Sequence, residues 1–206
     1  MHQSRVLGSR HKKHLPKVIT SAEAADLLAA AESGTAESCR DRLLLELLYR
    51  AGLRVSEVVK LTPRDVERAG LIRVYDAKGG DGTAYFDPPR VLPLLDRWLE
   101  VRSSWLNGVP SGTQHLFLKR DGSPLSTRYV QRLVKRLKDE IGVVGRCTPH
   151  TLRHQFATEC IEEGFPIHEV QRLLRHANLA TTAVYLSVRD ESLRKRVAER
   201  SARVVT

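Results

Sequence analysis

Thr148-Pro149-His150-Thr151-Leu152-Arg153-His154 opens the segment of this chain that the rest serves. It is followed by Leu174-Arg175-His176 and by Thr181-Thr182-Ala183-Val184-Tyr185. Most of the residues between are ordinary core formers, and the pattern predicts two helices, about 151–163 and 167–175, separated by Gly164-Phe165-Pro166. Imidazoles, a guanidinium and a phenol thus fall within one short segment, a combination that points to phosphate chemistry.

The whole chain agrees with an anionic partner. Its 206 residues carry 34 Lys and Arg against 24 Asp and Glu, a formal net charge of +10, which favours nucleic acid over an acidic small molecule. Three cysteines, Cys39, Cys147 and Cys160, are widely spaced and form no C-x-x-C pair, so a reducing cytosol is expected rather than a disulfide framework or zinc ribbon. Neither a long apolar run nor a hydrophobic signal core at Met1–Arg5 is present, so no membrane association is expected. The expected location is cytoplasmic, with the nucleoid.

Upstream, residues 1–17 hold Arg5, Arg10, Lys12, Lys13 and Lys17 without an acid and read as a basic arm or linker. His11 and His14 flank two lysines, which would repel a divalent ion. Thr20 and Glu23 form a capping box ahead of a helix to about residue 31, and a second helix, about 40–50, sends Leu43, Leu44, Leu47 and Leu48 inward before stopping at Ala51-Gly52. Residues 53–60 predict a short helix that carries Arg54 and buries Leu53, Val55, Val58 and Val59. Strand-like segments from Leu71 to about Phe86 flank the turn Lys78-Gly79-Gly80-Asp81-Gly82, giving a small antiparallel sheet.

A helix over about 91–105 follows, with Leu94, Leu95, Trp98, Leu99 and Trp105 inward. His115–Leu118 reads as a short strand or an irregular apolar segment. Ser126 caps a further helix to about Ile141, in which Val130, Leu133, Val134 and Leu137 share one face and Arg128, Arg132, Lys135 and Arg136 another. No acid lies between Arg128 and Lys138, so those cations are expected to lack local partners and to face phosphate. The resulting fold class is mainly α with a small antiparallel β-sheet.

Arg54 and Arg153 suit the non-bridging oxygens of a phosphodiester, because planar guanidinium forks match them bidentately and stay charged. His150, His176 and Lys78 are candidates for proton transfer, and Tyr185 for the nucleophile. His150 and His154 stand four apart, as zinc ligands on a helix would, but Arg153 beside them and the absence of an intervening Glu favour a site without metal. His154 reads as a packed bystander, and Arg153 as pointing where His150 points.

Ala51-Gly52-Leu53-Arg54-Val55-Ser56-Glu57, Lys78, His150-x-x-Arg153-His154, Leu174-Arg175-His176 and Tyr185 resemble, in order and spacing, the motifs of the tyrosine recombinases, or phage integrase family. The resemblance spans about residues 18–190. It implies that Arg54, His150, Arg153 and His176 activate the scissile phosphate, that Lys78 protonates the leaving 5′-oxygen, and that Tyr185 attacks to give a 3′-phosphotyrosyl link. No metal, ATP or other cofactor is implied. The implied partner is double-stranded DNA, on which the chain would form homodimers or tetramers while being a monomer in isolation. Residues 18–206 would be the catalytic domain, with a terminal helix over 191–203 docking on a neighbouring protomer and the family's N-terminal DNA-clamping domain absent.

Two local departures from the family accompany the match. Asp81, Gly82 and Thr83 stand where further basic residues usually follow the hairpin lysine, and Arg175 stands in place of a glycine, adding a phosphate contact. Two rival readings stay open on the residues alone: a DNA-binding relic without turnover, and a metal-free ribonuclease built on two histidines and a lysine.

Overall fold

The computed structural model describes residues 19–75, 81–107 and 113–175. Among these the chain forms α1 (Ser21–Ala30), α2 (Ala36–Arg50), α3 (Val55–Val58), β1 (Val66–Glu67), β2 (Leu71–Val74), β3 (Gly82–Tyr85), α4 (Pro88–Leu106), α5 (Thr127–Glu140), α6 (Pro149–Glu162) and α7 (Ile167–Leu173). The mainly helical class with a small antiparallel sheet is what the sequence predicts.

α2 is the central element, and α1, α3, α4 and α6 pack around it. Its length comes from a start one turn earlier than expected: Thr35, not a residue near Arg40, caps it by accepting from the Ser38 amide (3.1 Å). Leu43, Leu44, Leu45, Leu47 and Leu48 are all fully buried, so α2 is apolar on several sides, as a helix enclosed by others must be. The predicted capping box of α1 is present, with Glu23 receiving the Thr20 amide at 2.7 Å and Thr20 Oγ1 receiving the Glu23 amide at 3.2 Å.

The sheet has three strands, not the two of a simple hairpin. β1 pairs with β2 (Val66 opposite Ile72) and β2 with β3 (Leu71 opposite Tyr85, Val74 opposite Gly82), all antiparallel. β1 is only two residues long and follows a 3₁₀ turn at Pro63–Asp65, too short for alternation to reveal it. Lys78 lies in the connection between β2 and β3, outside the described residues.

α4 starts at Pro88, with proline in its first turn where the missing amide costs nothing. Trp98 is fully buried and donates to the Leu116 carbonyl (2.9 Å), while Trp105 is half-buried and meets it edge to face at 5.3 Å. Leu94 and Leu99 are likewise partly rather than fully buried. Leu116, Phe117 and Leu118 form an irregular apolar segment, tied by the Leu116 amide to Leu61 and by a single bridge from Leu118 to Pro124.

α5 lies against α1, α3 and α6, burying Val130, Leu133, Val134 and Leu137. Its basic face differs from expectation in one respect. Lys135 pairs with Asp139 (2.6 Å) and Arg136 with Glu140 (3.6 Å), both at i,i+4, so these two cations do have local partners, supplied just beyond the acid-free run. Arg128 and Arg132 are exposed and have no carboxylate partner among the described residues. Within the described residues no helix is long and apolar enough to cross a membrane.

Candidate active site

The site begins at the end of α2. Gly52 takes φ +58°, and a Cβ there would come within 2.6 Å of the Phe156 ring, so the position requires glycine for conformation and for space. The turn it makes places Arg54 at the N-cap of α3, in extended backbone. Arg54 has no hydroxyl or amide to cap with, and Glu57 does the capping instead. Its Oε2 accepts the Arg54 amide (2.7 Å) and its Oε1 the Arg54 guanidinium (2.6 Å).

α6 supplies the second part. Thr148 caps it, Pro149 occupies the first turn, and Thr148 and Thr151 exchange amide-to-hydroxyl bonds of 2.7 and 3.2 Å. Thus α6 starts earlier than expected and His150 is a helical residue of its first turn. Arg153, one turn on, is buried, while His150 is exposed. The Arg153 guanidinium donates to the carbonyl of Gly52 (2.5 Å) and to that of Leu174. One side chain therefore holds the α2 terminus and the α7 terminus together.

α7 ends at Leu174, and Arg175 turns the chain with φ +52°, the only positive φ outside glycine among the described residues. Its carbonyl accepts from Arg54 (3.1 Å). Its own guanidinium folds back to Glu57 Oε2 (2.8 Å), the Leu173 carbonyl (3.0 Å) and the Gly52 carbonyl (3.4 Å). In this arrangement Arg175 is committed to the protein, so the phosphate contact expected of it would require these bonds to open.

Arg54, Arg153 and Arg175 thus converge on Glu57, with Arg153 Nη1 at 3.7 Å and the other two in hydrogen-bond contact. Burial alone would raise the Glu57 carboxyl, but Arg175, the Arg54 amide and the Arg54 guanidinium outweigh it and hold the group below the usual glutamate range. Among the described residues these three permanent cations gather on one anion, an arrangement that would stabilise an anionic ligand. His150 lies beside this cluster: desolvation first, then the charges of Arg153 and Arg146, lower its pKa and favour neutral imidazole at pH 7.

His154 is half-buried and its pKa is also lowered, by desolvation and then by His150. Among the described residues, His, Cys, Asp and Glu nowhere gather in threes that could hold a metal ion. Glu57 is the site residue whose role sequence reasoning missed, although its spacing from Arg54 is the signal of a capping glutamate. His176 and Tyr185 lie outside the described residues, as do Lys78 and the predicted terminal helix. Next to the arginine cluster, β3 and α7 enclose a cleft of about 510 Å³, lined by Gly82, Thr83, Tyr85, Phe165, Arg172 and Arg175 among others.

Residues 17–192 match the sequence model of the phage integrase family. The chain belongs to this family. It is 33% identical over 193 residues to the tyrosine recombinase XerD of Staphylococcus aureus, a match that covers 90% of this chain and 63% of that protein. The chain therefore spans less than two thirds of the length of that relative. Among solved structures, the XerA recombinase superposes with a TM-score of 0.77 at 28% identity over 91% of this chain and 66% of that one. The XerH site-specific recombinase bound to its difH substrate before cleavage superposes with a TM-score of 0.73 at 26% identity, covering 84% and 50%. These two structures share the fold of this chain.

Proposed function

We propose that this chain carries out DNA strand cleavage and rejoining for site-specific recombination, through a 3′-phosphotyrosyl intermediate. The observation that carries this reading is the convergence of Arg54 and Arg153, from segments far apart in sequence, on one buried carboxylate with His150 beside them. Family membership and the likeness to proteins named as site-specific recombinases support it.

In the proposed reaction Arg54, Arg153, His150 and His176 surround the scissile phosphate and stabilise the charge that grows on its non-bridging oxygens. The Tyr185 oxygen attacks phosphorus, the bond from phosphorus to the 5′-oxygen breaks, and Lys78 gives that oxygen its proton. The phenolic proton passes to His150, whose environment favours the neutral, accepting form. The phosphotyrosyl bond conserves the energy of the phosphodiester, so rejoining to a 5′-hydroxyl needs neither ATP nor metal. Double-stranded DNA is the substrate, engaged in part through the basic face of α5, and assembly on it is as a homodimer or tetramer.

The test uses nicked duplexes bearing a matching site, with denaturing gel analysis. A covalent protein–DNA adduct that disappears in Tyr185→Phe is the expected result. Retardation of DNA with no adduct would reduce the chain to a DNA-binding module, and cleavage of RNA alone, unaffected by that substitution, would replace the reading with a ribonuclease.

A further inference from the structure

Arg175 is unusual in two ways that have one explanation. Its backbone occupies the left-handed region that favours glycine, and its side chain, largely buried, lies back across the floor of the site. A long side chain in that conformation is disfavoured relative to glycine, so it needs a compensating role. Its guanidinium is held at three places: Glu57 on α3, the Gly52 carbonyl at the end of α2, and the Leu173 carbonyl on α7.

The aliphatic stem of the same residue meets the sheet. A Cβ built on Gly82 would stand 2.7 Å from Arg175 Cδ and 3.2 Å from its Cγ. With the guanidinium pinned at its far end, the stem cannot swing aside. Gly82 is thus the position on β3 that makes room for Arg175, and it pairs with Val74 at the turn end of the hairpin, next to the connection that contains Lys78. The two departures from the family pattern, Arg175 for glycine and Gly82 in a turn of reduced charge, fit into each other.

We propose that Arg175 is a positioning residue: it clamps β3 to the α7 terminus through Gly82 and fixes Glu57 and Arg54 at the other end, so that the hairpin and the arginine cluster keep one geometry. This rests on the strand-transfer reading given above for its activity consequences, though the clamp itself has a readout without DNA. A residue that touched phosphate would lower affinity and its salt dependence, whereas a clamp acts on the rate once DNA is bound.

The experiment compares the full chain with Arg175→Gly, Gly82→Ala and the double variant. Glycine suits the φ of +52°, so Arg175→Gly is expected to fold, with helical circular dichroism unchanged. Without DNA, amide exchange at Ala84 and Phe86, whose amides face β2, should quicken about tenfold in Arg175→Gly, as local opening of β3 becomes easier. At saturating DNA the rate of adduct formation should fall about 10- to 100-fold, while the salt slope of binding stays the same.

Gly82→Ala should slow the reaction in the Arg175 chain and have no further effect in the Arg175→Gly chain, where the stem it collides with is gone. Unchanged β3 exchange, or independent effects of the two substitutions, would overturn the clamp. A salt slope reduced by about 0.9 with an unchanged rate at saturation would overturn it in favour of a phosphate contact. If the unsubstituted chain forms no adduct, the strand-transfer reading fails, and the exchange measurement decides the clamp by itself.

Discussion

Two buried glutamates, each surrounded by arginines, do opposite work in this molecule. Glu46, fully buried in α2, pairs with Arg42 (2.7 Å) and Arg50 (3.0 Å), one turn away on either side of it. Arg42 also bonds the Leu28 carbonyl and lies 3.7 Å from Glu32, so that region holds two carboxylates for two cations. Glu57 faces Arg54, Arg153 and Arg175, drawn from three separate segments, and is the one carboxylate paired with them among the described residues. The first centre is locally neutral and braces a helix. The second, among the described residues, gathers three cations on one anion beside a cleft, which is how a protein prepares for an anion in advance.

The largest expected consequence concerns stability. Glu57→Gln removes the anion from among guanidiniums of which two are almost wholly buried, and should cost about 3–5 kcal/mol. Glu46→Gln should cost roughly 1–2 kcal/mol, because Arg42 and Arg50 retain 19% and 33% of their side-chain exposure and can turn to water. Denaturant unfolding of both variants measures the difference; equal losses would erase the distinction between the two centres.

Activity should separate them as sharply. Arg153→Ala is expected to lower adduct formation by about 10²–10³, whereas Arg42→Ala, at the neutral centre, should leave the rate at saturating DNA within about twofold. A near-normal rate for Arg153→Ala would remove that residue from the site.

The smallest effect is in pH. His150 and His154 have pKa values below the ordinary 6.5, so the unfolded chain binds more protons than the folded one as pH falls through that range. Their contribution is complete above about pH 6.5 and is lost on acidification, followed at lower pH by that of Glu57, whose folded pKa is also depressed. Melting temperature should therefore decline from pH 7 to 5, and His150→Gln should flatten the decline. A flat profile for the unsubstituted chain would show that neither imidazole is desolvated in the folded state.

These contrasts also explain what the sequence could disclose. Thr20 and Glu23 act within one turn, and the apolar face of α5 repeats along one helix, so both were legible from local spacing. The partners of Lys135 and Arg136 obey the same i,i+4 rule and were missed only because Asp139 and Glu140 stand just past the run of cations. Arg54 and Arg153 were legible as chemistry, and their meeting through Gly52, Leu174 and Glu57 was not, because it depends on how α2, α3, α6 and α7 pack. The burial of Arg153 where His150 stays exposed is of this kind: helical spacing fixes a face, and tertiary contacts decide which residue on it is buried. Assignments at Lys78, His176 and Tyr185 rest on their spacing and on the family resemblance.

The tryptophan pair of α4 has a practical meaning. The chain contains two tryptophans, and both are on this helix, stacked edge to face against the α2 side of the core. Tryptophan emission, excited selectively over the five tyrosines, is therefore a gauge of that core alone. A titration with DNA that shifts it would report a rearrangement carried through the body of the domain, while events confined to the arginine cluster would leave the signal dark.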